Sequence, residues 1–501
     1  MLKRNILSNL AAGVLIAALT LLITPLQVHL LGIEAYGLIG FIATLQVVVS
    51  VLDFGLSSTI TREIAGDHSP ERQASQELLR TAVTLYWGLA VAIGILVVLV
   101  AGILARRWFN SETIDLVTLE RALQVAALYL ALRWPVALYT GVLAGTQRMD
   151  VLNVIKTGAI TLRLAGGIVV LLLWRDLMAF LLWFGISAIV EVAAYVYAAR
   201  RVMPGVSWRP GFSFAALRAI WSFSLQMAAL AVLSMVLTQL DRLMISKMLP
   251  LDQLGFYSLA YTAATGISII ISSLSTALMP SFAAAHDAGA RQTMLARYGS
   301  ANEVMLYATG LILFSLVFFG RPLLELWVSP VAAAEAWLPL ALLAGGFWLS
   351  AAVSNAYTSS IASRQPSGPL VISATTGVLY VPLMYWMIAG FGIDGAALAW
   401  LILHIGYIFT IIPWVHRRIL KIPVLPWFTR LLLPSALLGC ATFGLARAVS
   451  ILWLPVSGRA PEFLALAAGA VAYSVLGYLL LGPDLKRSLS EGLRQVAVRL
   501  H

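Results

Sequence analysis

The sequence predicts an all-α polytopic membrane protein of about fourteen transmembrane helices, arranged as two pseudo-symmetric six-helix lobes plus two C-terminal helices, N-in and C-in. Three observations carry this. Of 501 residues, 60% are hydrophobic and only 11% are charged; a soluble protein carries roughly 25% charged residues, so lipid must replace water over much of the exterior. The apolar stretches run for about 20 residues without a break, the length of a bilayer-crossing helix, whereas barrel strands would alternate apolar and polar residues. Lysine and arginine alternate in abundance from loop to loop, the mark of the positive-inside rule.

The expected spans, with ends good to about 3 residues, are 9–31, 38–60, 81–104, 121–143, 157–174, 177–198, 222–246, 256–280, 304–328, 338–361, 370–389, 395–414, 431–454 and 462–482. Short polar or Gly/Pro turns separate them. In lipid every backbone N–H and C=O must be satisfied within the chain, which a helix does by itself. With Lys3 and Arg4 placed inside, the inside segments hold about 22 Lys and Arg and the outside loops about 5, namely Arg106, Arg107, Arg175, Lys247 and Arg459. The net charge of +11 is therefore read as topogenic, not as a nucleic-acid footprint. A single cysteine, Cys440, excludes an intrachain disulfide and argues against a cysteine metal site. The first apolar stretch is too long for a signal peptide core and is read as a retained helix.

The domain reading is 1–201 for the N-lobe, 202–221 for an interfacial linker helix, 222–418 for the C-lobe, 419–482 for spans thirteen and fourteen, and 483–501 for a cytoplasmic amphipathic tail. In the tail, Leu485, Leu489, Leu493, Val496 and Leu500 share one helical face, and Lys486, Arg487, Arg494 and Arg499 decorate the rest. Trp208 to Trp221 has the same character. Each reads either as a helix on an anionic leaflet or as a solvated linker. The two lobes follow from a short repeat: Ile33-Glu34-Ala35-Tyr36-Gly37-Leu38 aligns with Leu251-Asp252-Gln253-Leu254-Gly255-Phe256 at an offset of about 218 residues, six spans later. An even number of spans gives both copies one orientation, as in transporters built from parallel repeats.

Ionisable residues inside spans are costly and mark function. They are Asp53, Arg133, Arg163, Glu191, the adjacent Asp241 and Arg242, Arg321 and Glu325, His404 and Arg447. Arg133 lies twelve residues into its span, about 18 Å from the outer end at 1.5 Å per residue, too deep to reach either surface easily. Trp134 and Pro135 follow it, and a proline there loosens the helix where a cavity can open. Arg133 and Arg163 facing a water-filled cavity would grip a diphosphate in bidentate fashion. The competing reading pairs each arginine with Asp53 or Glu191 as helix-to-helix glue. Asp53 and Glu191 are candidates for ion coupling, and Asp241 and Arg242 for a gate or an interfacial anchor. His404 reads as a proton relay or a core hydrogen-bonder, and Arg447 as a residue that snorkels.

Enzyme signatures are missing. No P-loop, His-Glu-x-x-His or nucleophile elbow occurs. No inside segment is long enough for a nucleotide-binding domain, and the longest outside loop, 105–120, carries Glu112, Asp115 and Glu120 in no metal-site pattern. No cofactor is expected.

Four segments carry a resemblance. Leu52-Asp53-Phe54-Gly55-Leu56-Ser57-Ser58-Thr59-Ile60-Thr61-Arg62-Glu63-Ile64-Ala65 resembles the span-two signature of the bacterial polysaccharide transporters, the lipid-linked oligosaccharide (O-antigen type) flippases of the multidrug/oligosaccharidyl-lipid/polysaccharide exporter superfamily. Gln239-Leu240-Asp241-Arg242-Leu243-Met244-Ile245-Ser246 with Leu254-Gly255-Phe256-Tyr257-Ser258-Leu259-Ala260 resembles that family's junction of spans seven and eight. Gly145-Thr146-Gln147-Arg148-Met149-Asp150-Val151-Leu152-Asn153 resembles its loop after span four, and Gly392-Ile393-Asp394-Gly395-Ala396-Ala397-Leu398-Ala399 its turn into span twelve. The resemblance implies twelve core helices in two lobes, often with two more. It implies alternating access around a cationic cavity that takes a polyprenyl-diphosphate head group and its sugars, in the bacterial inner membrane. Asp53, Asp241 and Arg242 fall inside matched motifs; Arg133 and Arg163 do not, and rest on their depth alone.

The expectation is a flippase carrying an undecaprenyl-diphosphate-linked oligosaccharide, an O-antigen or exopolysaccharide repeat unit, from the cytoplasmic to the periplasmic leaflet. Its partners would be that glycan lipid, membrane lipid, H+ or Na+, and a polysaccharide polymerase with chain-length proteins, and no nucleic acid. The competing readings are a multidrug or cation antiporter, a lipid II flippase, a membrane glycosyltransferase or polymerase, and a membrane scaffold.

Overall fold

A computed structural model describes residues 2–66, 73–452, 459–483 and 485–486. Among them all the regular structure is helical, with no strand. By packing it forms two compact units, one spanning Ala11–Ser258 and the other beginning at Leu259.

The first unit is built from α1 (Leu2–Leu31) from Ala11 onward, α2 (Ile33–Val51), α3 (Leu56–Gly66), α4 (Gln73–Arg107), α5 (Leu116–Arg133), α6 (Val136–Gly145), α7 (Met149–Trp174), α8 (Leu177–Val202), α9 (Phe214–Met248) and the start of α10 (Leu251–Ala264). Its core gathers Ile60 from α3, Leu79 and Tyr86 from α4, Trp134, Val142 from α6, and Tyr195 from α8. The close approach of α3 and α6 has a sequence cause. Gly141 and Gly145 form a Gly-x-x-x-Gly pair, the small-residue face that lets membrane helices touch backbone to backbone. A Cβ on Gly141 would sit 2.7 Å from Ser57 O, and one on Gly145 2.9 Å from Thr61 O. Thr61 Oγ1 donates to Gly141 O at 3.1 Å.

The second unit continues with α11 (Gly266–Asp287), α12 (Arg291–Trp327), α13 (Pro330–Ala362), α14 (Ser367–Val415), a π-helical turn (His416–Leu420), α15 (Leu425–Trp427), a second π-turn (Phe428–Leu432), α16 (Leu433–Leu452) and α17 (Ala460–Leu480). Phe314 of α12, Phe443 of α16 and Tyr473 of α17 pack ring on ring, with centroids 5.8–6.5 Å apart.

Among the described residues twelve helical runs are long and apolar enough to cross a membrane. One of them, Ser367–Leu420, has 54 residues. At 1.5 Å per residue it would be about 80 Å long, far more than one bilayer. It bends at Gly392, whose φ of 59° and ψ of −137° no helix contains, and so holds two helices. A shorter apolar stretch, Leu15–Leu31, lies within α1.

Two expectations change. Residues 203–213, expected to begin a linker helix at 202–221, form turns, and the helix that starts at Phe214 runs on unbroken to Met248. Pro204-Gly205 and Pro210-Gly211 are the reason, since each pair stops a helix. The segment is pinned instead: Gly211 and Thr84 exchange two hydrogen bonds of 2.8 and 2.9 Å, and Trp208 lies 5.9 Å from the Tyr139 ring. The spans at 38–60, 121–143 and 256–280, expected to be continuous, are each split in two, as α2/α3, α5/α6 and α10/α11. The amphipathic tail expected over 483–501 lies outside the described residues beyond Lys486.

Candidate functional site

Two of these breaks fall where the sequence places buried charge. Residues 52–55 separate α2 from α3, with Phe54 and Gly55 at φ 47° and 69°, and Asp53 sits in that gap. The break sets free backbone groups that a bilayer cannot solvate. Asp53 answers part of that need: one carboxylate oxygen accepts from Ser57 N at 3.3 Å and Ser57 Oγ at 2.7 Å. The other oxygen accepts from the hydroxyl of Tyr86 on α4. In the second break α5 ends on Arg133, and Pro135, which has no N–H to continue the ladder, opens α6.

The two breaks share a cavity of about 200 Å³, with Gln46, Ser50, Asp53, Leu130, Arg133 and Trp134 among its walls. Arg133 is partly open to it, its side chain 22% exposed. Nη2 donates to Glu191 Oε1 at 3.3 Å and Nη1 to Tyr129 Oη at 3.4 Å. Its Nε is buried with no hydrogen-bond partner. Tyr129 in turn donates to Gln46 Oε1 at 2.7 Å.

Arg163 is placed differently. It is buried on α7, donates from Nε to Ser187 Oγ at 3.1 Å, forms an ion pair with Glu191 Oε2, and lies 5.2 Å from the Tyr129 ring centre. Glu191 on α8 is 3% exposed, between the two guanidiniums. Of the pairings left open by the sequence, both arginines take Glu191, while Asp53 bonds Tyr86 and Ser57. Two cations share the Glu191 carboxylate, and Asp53 on the wall of the same cavity is the second carboxylate of the group, so the four charges balance.

Asp241 is buried near the end of α9; it accepts from Tyr257 Oη at 2.7 Å and from Arg242 N at 2.8 Å. Arg242 is half-buried beside it. The remaining charges lie elsewhere. Arg321 and Glu325 pair on an exposed face at 3.7 Å, and Arg447 joins α16 to Glu462 on α17 at 2.7 Å. His404 is buried, bonds Trp400 O at 2.9 Å through Nδ1, and packs against Trp400 and Tyr407, as a core histidine does. Among the described residues no three His, Cys, Asp or Glu side chains are grouped to hold a metal ion.

The repeated motif has a structural role that alignment did not suggest: its two copies meet. A Cβ on Gly37 would stand 2.5 Å from Leu251 O, and one on Gly255 would stand 2.3 Å from Ile33 O. The offset relates Ile33 to Leu251 and Gly37 to Gly255, so the contact is reciprocal, as across a two-fold axis. Beside it Glu34, only 4% exposed, closes the loop that precedes α5. Its carboxylate accepts from Ser111 Oγ at 2.6 Å and from the N–H groups of Glu112, Thr113 and Ile114 at 2.9–3.2 Å. Glu34, Tyr86, Tyr129 and Ser187 are working residues the sequence reading missed. Only Tyr129, one turn before Arg133, could have been found from spacing.

Comparison with known proteins follows the same line. A protein of Shigella flexneri named as an O-antigen transporter is 21% identical over 375 residues, which cover 74% of this chain and 87% of that one. The lipid II flippase MurJ in an inward closed conformation superposes with a TM-score of 0.75 at 13% identity, over 94% of this chain and 97% of that one. An inward-facing multidrug resistance MATE family transporter of the MOP superfamily gives 0.65 at 15% identity, over 81% and 95%. At these identities the superpositions establish a shared fold. With its many apolar helices and bacterial transporter relatives, the chain is a multi-pass protein of the bacterial inner membrane. The family described as polysaccharide biosynthesis protein matches residues 2–286, more than half of the sequence, and the chain belongs to that family.

Proposed function

We propose that this protein is a flippase that carries an undecaprenyl-diphosphate-linked oligosaccharide from the cytoplasmic to the periplasmic leaflet. The observation that carries the reading is Arg133: a guanidinium at a break in a membrane helix, partly open to a cavity, with Nε unengaged and its ion-pair partner already neutralised by Arg163. A guanidinium partly open to the cavity can take a diphosphate oxygen, and a fork of N–H donors matches phosphate geometry. Arg163, held by Ser187 and Glu191, positions that centre and contributes charge. The O-antigen transporter relative supports the cargo class.

Asp53 opposite Arg133 in the same cavity is the best-placed carboxylate for coupling to H+ or Na+. Asp241, which accepts from Tyr257 near the reciprocal Gly37–Gly255 contact, would act in a gate at that end.

The test is complementation of a strain that lacks its own flippase. Arg133→Ala abolishes export of the glycan, and Arg133→Lys, which keeps the charge but not the fork, retains part of it. Full export with Arg133→Ala removes the cavity assignment. Sodium-dependent efflux of cationic drugs with no glycan phenotype would instead place the protein with the antiporters.

A further inference from the structure

The junction between α14 and α16 is cationic, apolar and rigid at once. Between Asp394 and Glu462 the sequence has no acidic residue. Within that stretch Arg417, Arg418, Lys421 and Arg430 are all exposed. Carboxylates on neighbouring elements are engaged elsewhere, Asp287 with Arg364 at 3.2 Å and Glu303 with Gly482 N at 2.9 Å.

The turn that presents these cations is fixed from within. His416 is fully buried, and its Nε2 meets Tyr298 Oη at 3.0 Å. Trp427, also buried, sets its ring edge-on to His416. Arg291 donates from Nη2 to Leu420 O at 3.1 Å and Lys421 O at 3.0 Å, and so ties down the reversal where Lys421 takes φ 52°. The two π-turns that flank the reversal are a geometry found disproportionately at functional sites.

Against the cations lies an open pocket of about 470 Å³, walled by Ile422, Pro423, Val424, Leu425 and Phe428 with Arg417 at its side. Phe428 stacks on Phe409 at 5.7 Å and 17°, and Phe409 is itself exposed on α14. The apolar wall thus continues onto an exposed face of α14, a helix apolar enough to cross a membrane. Positive-inside topology accounts for cations in such a loop. It does not account for an apolar pocket beside them, nor for a turn braced by three buried or tethered side chains.

We propose that this junction is a binding site for an anionic diacyl phospholipid of the cytoplasmic leaflet, with its phosphate among Arg417, Arg418, Lys421 and Arg430 and an acyl chain along the Val424–Phe428–Phe409 wall. Guanidinium groups bind phosphate in bidentate fashion, and a basic cluster at the membrane surface selects anionic lipid. The site lies outside the Arg133 cavity and stands independently of the cargo.

The experiment is native mass spectrometry of the full-length protein released from vesicles of equal phosphatidylglycerol and phosphatidylcholine. The wild type retains phosphatidylglycerol selectively. The variant R417Q/R418Q/K421Q/R430Q loses that retention by about tenfold or more, while the control R62Q/R148Q/R201Q/R209Q, with as many exposed cations removed elsewhere, keeps it. Val424→Trp, which fills the pocket and leaves every charge, lowers retention of long-chain phosphatidylglycerol. Equal loss in the control, unchanged retention in the quadruple variant, or unchanged retention in Val424→Trp overturns the site. Displacement of the retained lipid by a polyprenyl diphosphate, one for one, overturns the assignment to phospholipid.

Discussion

Arg133 and Arg163 share one carboxylate, yet their removal should have opposite consequences. Arg163→Met takes away the buried ion pair with Glu191 and the bond to Ser187, and leaves a 3%-exposed carboxylate with only the long 3.3 Å contact to Arg133. Breaking a buried pair by deleting one partner costs about 3–5 kcal/mol, because the other charge stays desolvated. Arg133→Met removes two long contacts from a side chain that is partly exposed, and Glu191 keeps Arg163. Discounted for that exposure, the loss is about 1 kcal/mol. A gap of about 2 kcal/mol or more is roughly thirtyfold in a folded-to-unfolded ratio. Methionine preserves most of the apolar stem in both cases. The assay heats detergent-purified protein and reads the monodisperse fraction by fluorescence-detected size exclusion, with export scored by complementation. Arg163→Met should lose its monodisperse peak well below the wild-type temperature. Arg133→Met should stay near wild type in stability and fail in export. Equal thermal loss in the two variants, or a wild-type melting profile for Arg163→Met, would refute the division into a supporting and a cavity-facing arginine.

Other outcomes follow from the same geometry. Gly255→Ala places a Cβ 2.3 Å from Ile33 O, over 1 Å inside ordinary contact, so the two motif copies must part. Overpacking of this kind costs about 1–3 kcal/mol, and both export and thermal stability should fall. Gly88→Ala, where a Cβ meets nothing within 4 Å, serves as the control and should leave both unchanged. Wild-type behaviour of Gly255→Ala would show that the contact is not needed. Glu34→Gln weakens the charge-assisted bonds that close the loop at 111–114, each worth about 1.5–3 kcal/mol. Hydrogen exchange at the amides of Glu112, Thr113 and Ile114 should accelerate at least tenfold, and unchanged protection would mean the loop holds without the charge.

Much of this was legible in the sequence. Hydropathy sums over a window, and any helix of about 20 apolar residues satisfies its own backbone, so the all-helical membrane class needs no tertiary information. The motif from Leu52 to Ala65 and the segment around Asp241 led to the family for the same reason: they are local strings. The Gly-x-x-x-Gly pair at Gly141 and Gly145 was equally readable and explains why α6 lies so close to α3. The Pro-Gly pairs after Met203, which replace an amphipathic helix by a pinned turn, were readable too.

Partnership was not legible. Glu191 lies 28 residues from Arg163 and 58 from Arg133, and which carboxylate each arginine takes depends on how three helices are rotated about their axes. A few residues of slippage would present Asp53 instead. The same holds for the break at Phe54 and Gly55, where the Asp53 carboxylate, held by the hydroxyl of Tyr86 on another helix, accepts from the backbone amide of Ser57. The sequence by itself determined that charges would lie within the membrane and where along each span. Only tertiary packing decided that Glu191 would hold both arginines, that Arg133 would keep a donor free, and that the two copies of one short motif would close against each other. Charge depth is set by distance along a helix, whereas pairing is set by contacts between helices that no single segment encodes.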